Sequence, residues 1–366
     1  MREYKNPLTI RGDSLYCPLA FGADSYWGCP YNCVYCYCRE MNAVWGQDLR
    51  VVDPEALARR MRNGLSNNNP RSPLAHALRN KSTLRLGNKS DPFPPEEQIH
   101  RATEGILGVL KELDWSVKLE TRSTAYTESP YWELLTPGRC VLTTTVTCGL
   151  DRDHEAFEPS GMPPPAARLE ALHQVAAEGF QVGVVSEPFL NGWHTVDDWR
   201  QFLDALRQHG INRTNVYHAH LTPFVAKRLV EVPGLDIEAV WRGNEDAAWR
   251  PILREIIQLS EAAGVILGCP DFVNSGRYIE RSNTCCGVDV PRPTTYNMIG
   301  WKHLAISQGR VSREDVLASW DGIGDQAHGE AVFDGSNRAF YGFKDLGWAR
   351  DGDGWRPEEE KPRGFF

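Results

Sequence analysis

Residues 28–37 read GCPYNCVYCY and place Cys29, Cys33 and Cys36 at C-x₃-C-x₂-C spacing within eight residues. Three thiolates this close together can bind one face of a cubane iron–sulfur cluster and leave one iron without a protein ligand. An iron with an open position can bind and activate a substrate, whereas a closed four-ligand site is structural or transfers electrons. Zinc is the competing metal, but a four-ligand zinc site here needs Cys38 as its fourth ligand.

The composition around this loop is that of a globular protein. The chain has 366 residues, is 41% hydrophobic, and carries a net charge of −8, which disfavours a general polyanion-binding surface. No apolar run approaches the roughly 18–20 residues of a membrane span, and the N-terminal residues are not a secretion signal. We therefore expect a soluble, cytoplasmic protein whose clustered cysteines, among 10 in all, are metal ligands or catalytic groups.

Strand-like and helix-like runs alternate along the chain from residue 21. The strand-like runs are Ala23–Gly28, Thr83–Asn88, Trp115–Thr121, Cys140–Thr147, Gln181–Ser186, Asn215–Leu221 and Val265–Gly268. The helical runs, with apolar residues at three- and four-residue spacing, are Pro54–Arg62, Glu96–Leu113, Ala166–Glu178, Val196–His209 and Trp249–Ala263. This alternation predicts an α/β fold with a parallel sheet, either open or rolled into a partial or full barrel.

Polar residues follow several of these strand-like runs, as at residues 88–91 and 121–123. The carboxyl ends of parallel strands are where such sheets place their active sites. In the third run, Lys118, Glu120 and Arg122 alternate with apolar residues, so one face of that strand is charged. This face requires either a polar barrel interior or a solvent-facing edge strand.

The cysteine motif, with Tyr35 at its aromatic position, resembles that of the radical S-adenosylmethionine (SAM) superfamily. Further motifs are similar to the spore photoproduct lyase-like branch of that superfamily. They are GNKSDP at residues 87–92, TRS at 121–123, Glu158-Pro159, and RLEAL at 168–172. The resemblance covers about residues 15–230.

The resemblance implies a partial (β/α)₆ TIM-like barrel with a C-terminal extension. We expect an N-terminal segment at residues 1–20, a radical SAM core at 21–230, and an extension at 231–366 that closes the barrel and contributes to the substrate site. Cys29, Cys33 and Cys36 match the ligands of a [4Fe-4S] cluster whose open iron chelates SAM. One-electron reduction then cleaves SAM and releases a 5′-deoxyadenosyl radical, which abstracts hydrogen from the substrate.

The resemblance also implies a SAM site at the strand ends. Ser90 and Asp91 match the group that receives the methionyl amine. Arg122 takes the place of a basic residue that meets the carboxylate, a task that suits its forked donors. The other expected SAM contacts are Asn88, Tyr37 at the adenine, and Thr145 and Thr147 at the ribose.

Two features bear on the reaction. Tyr35 and Tyr37 flank Cys36 and match a tyrosine pair that relays hydrogen back to SAM in spore photoproduct lyase. That enzyme has a hydrogen-donor cysteine immediately before its Ser-Asp pair, and here Lys89 stands at that position. We therefore expect a base-modifying or rearranging reaction of lyase or isomerase type, and not photoproduct lyase activity itself.

A second cysteine group lies at Cys269, Cys285 and Cys286. These residues are candidates for an auxiliary iron–sulfur cluster. Cys285 and Cys286 are alternatively catalytic or substrate-contacting thiols that replace the donor missing at Lys89. The remaining alternative is that they are buried near a turn, because adjacent cysteines point different ways on an extended chain.

The substrate is less directly indicated than the SAM chemistry. No acidic residue lies between Glu55 and Asp91, although that stretch carries eight positive charges. These are Arg59, Arg60, Arg62, Arg71, Arg79, Lys81, Arg85 and Lys89. They form either a phosphate-binding stripe or a solvated helix and loop.

We therefore expect a nucleobase in DNA or a related nucleic acid as the substrate, and an electron donor such as flavodoxin or ferredoxin as a partner. Two alternatives stay open. One is radical SAM modification of a peptide or small metabolite. The other is a non-catalytic iron–sulfur redox sensor, which needs no SAM-binding residues.

Overall fold

The computed structural model describes residues 2–10, 19, 21–40, 49–70, 72–159 and 161–268, with shorter pieces at 284–285, 288–289, 291, 308–318, 330, 333–334 and 348–357. An eight-stranded sheet lies at its centre. Its strands are β1 (Thr9–Ile10), β2 (Phe21–Ala23), β3 (Leu84–Leu86), β4 (Val117–Thr121), β5 (Cys140–Thr145), β6 (Gln181–Phe189), β7 (Arg213–His218) and β8 (Ile266–Leu267).

These strands lie side by side in chain order. Strands β2 to β8 pair in parallel, and β1 runs antiparallel to β2. Within the described residues the two edge strands, β1 and β8, do not pair with each other. The sheet is therefore an open, partial barrel, which confirms the predicted fold class.

The helices of the described residues fall mostly between the strands. They are Pro54–Ser66, Pro73–Arg79, Glu97–His100, Ala102–Glu112, Tyr131–Leu134, Leu150–Phe157, Pro165–Ala177, Val196–Gln208, Pro223–Leu229, Ile237–Gly243, Asp246–Ala262 and Arg313–Ala318. Leu57, Ile106, Leu172 and Phe202 of these helices join β-strand residues in one large apolar core.

One predicted helix, Glu96–Leu113, is two helices in the structure. The chain turns at Arg101, whose φ of 50° lies in the left-handed region. The buried carboxylate of Glu97 accepts the main-chain N–H groups of Thr103 and Glu104, each at 3.0 Å. It thereby satisfies two of the free N–H groups at the start of the second helix, which compensates for the break.

The charged face of β4 points away from the large core, because Val117 and Leu119 occupy its core side. The Glu120 carboxylate on this face accepts a hydrogen bond from Arg85 at 3.0 Å and contacts the Lys118 ammonium. Lys118 is 1% exposed. The barrel interior is therefore polar, and the alternative of a solvent-facing edge strand is wrong.

The C-terminal pieces contact the same sheet. The sheet itself continues past residue 230 to β8. Thr284–Cys285 pairs antiparallel with Val288–Asp289. The Asp289 carboxylate accepts hydrogen bonds from Gln181 at 2.8 Å and Arg213 at 2.9 Å.

Three further strands, Val311–Ser312, Trp348–Asp351 and Gly354–Pro357, form a small separate sheet. Another three-stranded sheet joins Arg2–Glu3, Tyr26–Trp27 and Arg50–Val51 near the start of the chain. Among the described helices, none is both long and apolar enough to cross a membrane.

Candidate active site

The cysteine loop begins shortly after β2, at the carboxyl edge of the sheet. We predicted the first strand over Ala23–Gly28, but β2 ends at Ala23, and Tyr26–Trp27 belongs to the separate three-stranded sheet. Two contacts fix the loop from outside: Val34 donates its N–H to the Phe157 carbonyl at 2.8 Å, and Arg228 donates to the Asn32 carbonyl at 3.0 Å. The loop is therefore held by packed elements on more than one side.

The three predicted cluster ligands are free thiols on this loop. Burial raises the pKa of Cys29 to about 12 and that of Cys33 to about 11, whereas a hydrogen bond with Cys38 lowers the pKa of Cys36. Electrostatic interactions link Cys36 to both other thiols, so the three are near neighbours. Within the described residues, no three His, Cys, Asp or Glu side chains are arranged to hold one metal ion. The thiols fit a cubane cluster because its three thiolates bind three different irons and need not converge on one point.

The Ser90-Asp91 pair lies against the cysteine loop. The Ser90 hydroxyl donates to the Tyr26 carbonyl at 2.7 Å, and the Asp91 N–H hydrogen-bonds to the Cys29 sulfur. The Asp91 carboxylate accepts the Thr121 hydroxyl at 2.8 Å on one oxygen and the Arg122 N–H at 2.8 Å on the other. The structure therefore brings together the ends of β3 and β4 and the first predicted cluster ligand.

Arg122 lies in a buried network centred on Glu158. The Glu158 carboxylate accepts hydrogen bonds from Tyr35 Oη at 2.8 Å, Arg122 Nε at 3.3 Å and Arg168 Nη1 at 3.2 Å. His154 Nδ1 lies 2.9 Å from its second oxygen, which Arg168 also contacts. The side chains of Glu158 and Arg168 are 3% and 1% exposed. Two guanidinium groups thus share one carboxylate beside the cysteine loop.

The two tyrosines that flank Cys36 have different surroundings. Tyr35 is buried, donates its hydroxyl hydrogen to Glu158, and receives a hydrogen bond from Arg122 Nη2 at 3.2 Å. Tyr37 is 37% exposed, and its ring centroid lies 4.6 Å from that of His220. Burial raises the pKa of Tyr35 well above the ordinary value. Tyr37 is therefore the more accessible member of the pair.

The other predicted SAM contacts are also near strand ends. The Thr145 carbonyl accepts a hydrogen bond from Arg168 Nη1 at 2.9 Å, and the Thr147 hydroxyl is engaged with Asp153. The Lys89 ammonium lies 5.7 Å from the ring centroid of Trp27. Asn88 precedes Lys89 in the loop that follows β3.

The second cysteine group is only partly described. Cys285 belongs to the short strand beside Val288–Asp289, whose contacts with Gln181 and Arg213 lie at the amino ends of β6 and β7. The described backbone therefore places Cys285 toward the end of the sheet opposite the cysteine loop. Cys269 and Cys286 lie outside the described residues, and the roles suggested for the group stay predictions.

Sequence reasoning gave no role to two residues of this site, Asp24 and Glu158. Glu158 was noted only as part of a motif. Asp24 accepts three main-chain N–H groups from the loop that contains Ser90. The sequence predicts a strand through residue 24, so Asp24 lies inside the predicted strand and not among the polar residues at its end.

Acid should destabilise the fold through its buried carboxylates. Burial alone would raise the pKa of Glu158, but the hydrogen bond from Arg168 and the charges of Arg122 and Arg168 lower it to about 2. For Glu120, the charges of Arg85 and Lys118 outweigh burial and lower the pKa to about 2. Since both folded-state pKa values lie below the ordinary 4.5, the stabilisation is complete above about pH 4.5 and is lost as pH falls toward 2.

Urea unfolding followed by tryptophan fluorescence at a series of pH values measures this loss. Each group should contribute roughly 3 kcal/mol to the change between pH 7 and pH 2. In Glu120→Gln the pH dependence should be shallower, whereas exposed Glu155→Gln should leave it unchanged. Equal slopes for the wild type and Glu120→Gln would contradict this assignment.

The fold is similar to that of spore photoproduct lyase. A spore photoproduct lyase complexed with dinucleoside spore photoproduct superposes with a TM-score of 0.52 at 13% identity, over 71% of this chain and 79% of that chain. A mutant of that lyase with bound AdoMet and the same dinucleoside gives a TM-score of 0.51 at 13% identity, over 71% and 80%. The chain therefore shares the fold of these lyases.

Sequence comparison finds uncharacterised bacterial proteins. Proteins of Mycobacterium bovis and Mycobacterium tuberculosis are 24% identical to this chain in an alignment of 222 positions that covers 56% of this chain. The match spans 60% of the length of each relative. The chain matches no protein-family model.

Proposed function

We propose that this protein is a radical SAM enzyme that modifies or rearranges a nucleobase in DNA or a related nucleic acid. The cofactors are one [4Fe-4S] cluster, held by Cys29, Cys33 and Cys36, and SAM. When bound and reduced by one electron, for which a flavodoxin or ferredoxin is a suitable donor, they would supply radical chemistry for hydrogen abstraction. The reaction is a lyase or isomerase type of hydrogen abstraction.

One observation carries this proposal: the cysteine loop, the Ser90-Asp91 pair and Arg122 meet at the carboxyl edge of one parallel sheet. The Asp91 main chain contacts Cys29, and its carboxylate holds the Arg122 main chain. Carboxylate and hydroxyl oxygens suit an amine donor, and a guanidinium suits a carboxylate. A redox sensor has no need of such a set, which argues against that alternative.

This chain's residues would bind and orient SAM and protect the radical. Glu158 accepts a hydrogen bond from the Arg122 guanidinium. The orientation of this guanidinium is therefore set before SAM binds. Tyr35 is buried with its hydroxyl hydrogen bonded to Glu158, whereas Tyr37 is 37% exposed and lies beside His220. This difference supports Tyr37, in preference to Tyr35, as the residue that exchanges hydrogen with a bound molecule.

Two observations support a nucleic acid as the substrate: the ligand of the solved lyases that share this fold, and the charged side chains of the barrel interior. The solved lyases of the same fold are complexed with a dinucleoside. The described barrel interior contains Arg85 and Lys118, which both pair with Glu120. Cationic side chains in a polar cleft attract an anionic substrate such as a nucleotide. A base in duplex DNA would have to leave the helix stack to reach the barrel.

A peptide or small metabolite is the second candidate, because much of the basic stretch is not free for phosphates. Arg62 forms an ion pair with Glu112 at 2.6 Å, Arg85 is buried against Glu120, and Arg79 donates to a main-chain carbonyl at 2.6 Å. These charges therefore do not form one continuous stripe.

Release of 5′-deoxyadenosine by the anaerobically reconstituted, reduced protein distinguishes these candidates. We expect both duplex and single-stranded DNA to stimulate release strongly, and the stimulation to fall as salt rises, since phosphate contacts displace counterions. Mass spectrometry of the digested DNA then identifies the product. Release that is indifferent to DNA would contradict the nucleic-acid substrate and favour peptides or metabolites. No release under any condition, from protein with a full cluster, would contradict the enzyme itself.

A further inference from the structure

Asp24 follows β2 directly and is 1% exposed. Its Oδ1 accepts the main-chain N–H groups of Asn88 at 2.8 Å, Lys89 at 2.6 Å and Ser90 at 3.1 Å. Its Oδ2 has no hydrogen-bond partner within the described part of the chain. One buried carboxylate oxygen thus holds three consecutive amides of a loop more than 60 residues away in sequence.

The shape of the loop directs these amides toward Asp24. The loop leaves β3 through Gly87, whose φ of 95° is left-handed, and a Cβ there would lie 2.1 Å from the Glu120 carbonyl. The turn therefore depends on glycine and directs three successive N–H groups toward one point. Buried N–H groups without an acceptor are costly, so the conformation of this loop depends on Asp24.

Asp24 also connects this loop to the cysteine loop. It lies five residues before Cys29 in the sequence. Between them, the Tyr26 carbonyl accepts the Ser90 hydroxyl, and at the far end the Asp91 N–H reaches the Cys29 sulfur. The segment from residue 24 to residue 29 and the loop from 88 to 91 are thus fastened to each other at three places, of which Asp24 supplies the first.

We propose that Asp24 is a positioning residue that fixes the 88–91 loop against the cysteine loop and so prepares the SAM site. This inference rests on the proposed function, since the ligand it serves is SAM. What Asp24 contributes is an acceptor oxygen at a defined point. A preformed loop binds its ligand more tightly because the cost of ordering the loop is met during folding.

Two variants distinguish the contribution of the acceptor oxygen of Asp24 from that of its negative charge. Asp24→Asn keeps a carbonyl oxygen for the three N–H groups, and a neutral amide is easier to bury than a carboxylate, whose pKa burial raises here. Asp24→Ala removes the acceptor. Asp53→Ala is the matched control, because the Asp53 carboxylate caps the exposed start of helix Pro54–Ser66, where it accepts the N–H of Glu55 and lies 4.0 Å from Arg59, away from the 88–91 loop.

The measurement is the affinity of the reconstituted, cluster-loaded protein for SAM and for the inert analogue S-adenosylhomocysteine, with iron content determined in parallel. We expect Asp24→Ala to bind about tenfold more weakly with its iron content retained. Asp24→Asn should stay within about threefold of the wild type, and Asp53→Ala should equal it. Hydrogen exchange at amides 88–90 should be faster in Asp24→Ala alone.

Equal affinity in Asp24→Ala and the wild type would overturn the inference, as would an Asp24→Asn protein that binds as weakly as Asp24→Ala. If Asp24→Ala does not fold, Asp24→Glu replaces it, since it keeps the charge but displaces the acceptor, and it should bind weakly too. A wild type that binds SAM without cleaving it would overturn the proposed function and leave the inference intact. A wild type that binds no SAM would overturn both.

Discussion

The variant in which Cys29, Cys33 and Cys36 are all replaced by alanine should hold no iron–sulfur cluster and release no 5′-deoxyadenosine. Each thiolate is expected to bind a different iron, and no other described cysteine except Cys38 lies on the loop. Cysteine binds iron as a thiolate, so binding of the cluster would displace a proton from each thiol. Loss of all three therefore leaves no anchor for the cluster, and activity should fall to background.

Iron and sulfide analysis, the visible absorbance of the cluster and the release assay measure this result together. Cys140→Ala is the matched control. Cys140 is a buried free thiol at the amino end of β5, whereas the cysteine loop lies at the carboxyl edge of the sheet. It should keep its cluster and its activity. Cys38→Ser tests the fourth thiol of the loop, and we expect it to keep the cluster. A triple variant that retained a full complement of iron would refute the assignment of these ligands.

Glu158→Gln should be the most destabilising single change in the site. The wild-type carboxylate compensates the guanidinium groups of both Arg122 and Arg168 and accepts the hydroxyl of Tyr35. Glutamine has nearly the same shape, but it removes the charge and turns an amide N–H₂ toward these donors. Removing one partner of a buried ion pair typically costs about 3–5 kcal/mol, because the remaining charge is left without compensation. Arg122 should also lose its fixed position, so SAM affinity should fall.

Urea unfolding at pH 7 gives the free energy of this change. Glu155→Gln is the control, since Glu155 is exposed on the same helix, Leu150–Phe157, and should differ from the wild type by less than about 0.5 kcal/mol. The spectral change on adding SAM to the cluster-loaded variant gives the effect on affinity. If Glu158→Gln proves as stable as the wild type, the network does not hold Arg122 in the way described.

The order of the elements could be predicted from the sequence. Hydrophobic periodicity predicted Val196–His209 as a helix, and the structure has Val196–Gln208. It predicted Trp115–Thr121 as a strand, and β4 is Val117–Thr121. These predictions succeed because a strand and a helix that bury one face repeat their apolar residues at short, fixed intervals.

The start of the barrel was predicted less well. The run Ala23–Gly28 has residues typical of a strand, yet the backbone leaves the sheet at Asp24. The carboxylate of Asp24 is committed to three N–H groups of the 88–90 loop. No local sequence pattern indicates these hydrogen bonds, because the three donors are more than 60 residues away from Asp24 in the chain.

The sequence by itself determined the parallel sheet, the spacing of the cysteine loop at its edge, and the residue types that suit an iron–sulfur cluster and SAM. These properties depend on residues close together in the chain. The tertiary structure alone decided that Asp24 holds the 88–90 loop and that Glu158 joins Tyr35, Arg122 and Arg168 in one network. Tyr35 and Glu158 are separated by 123 residues. Hydrogen bonds and ion pairs of this kind form only when folding brings their partners within about 3 Å and removes water from around them.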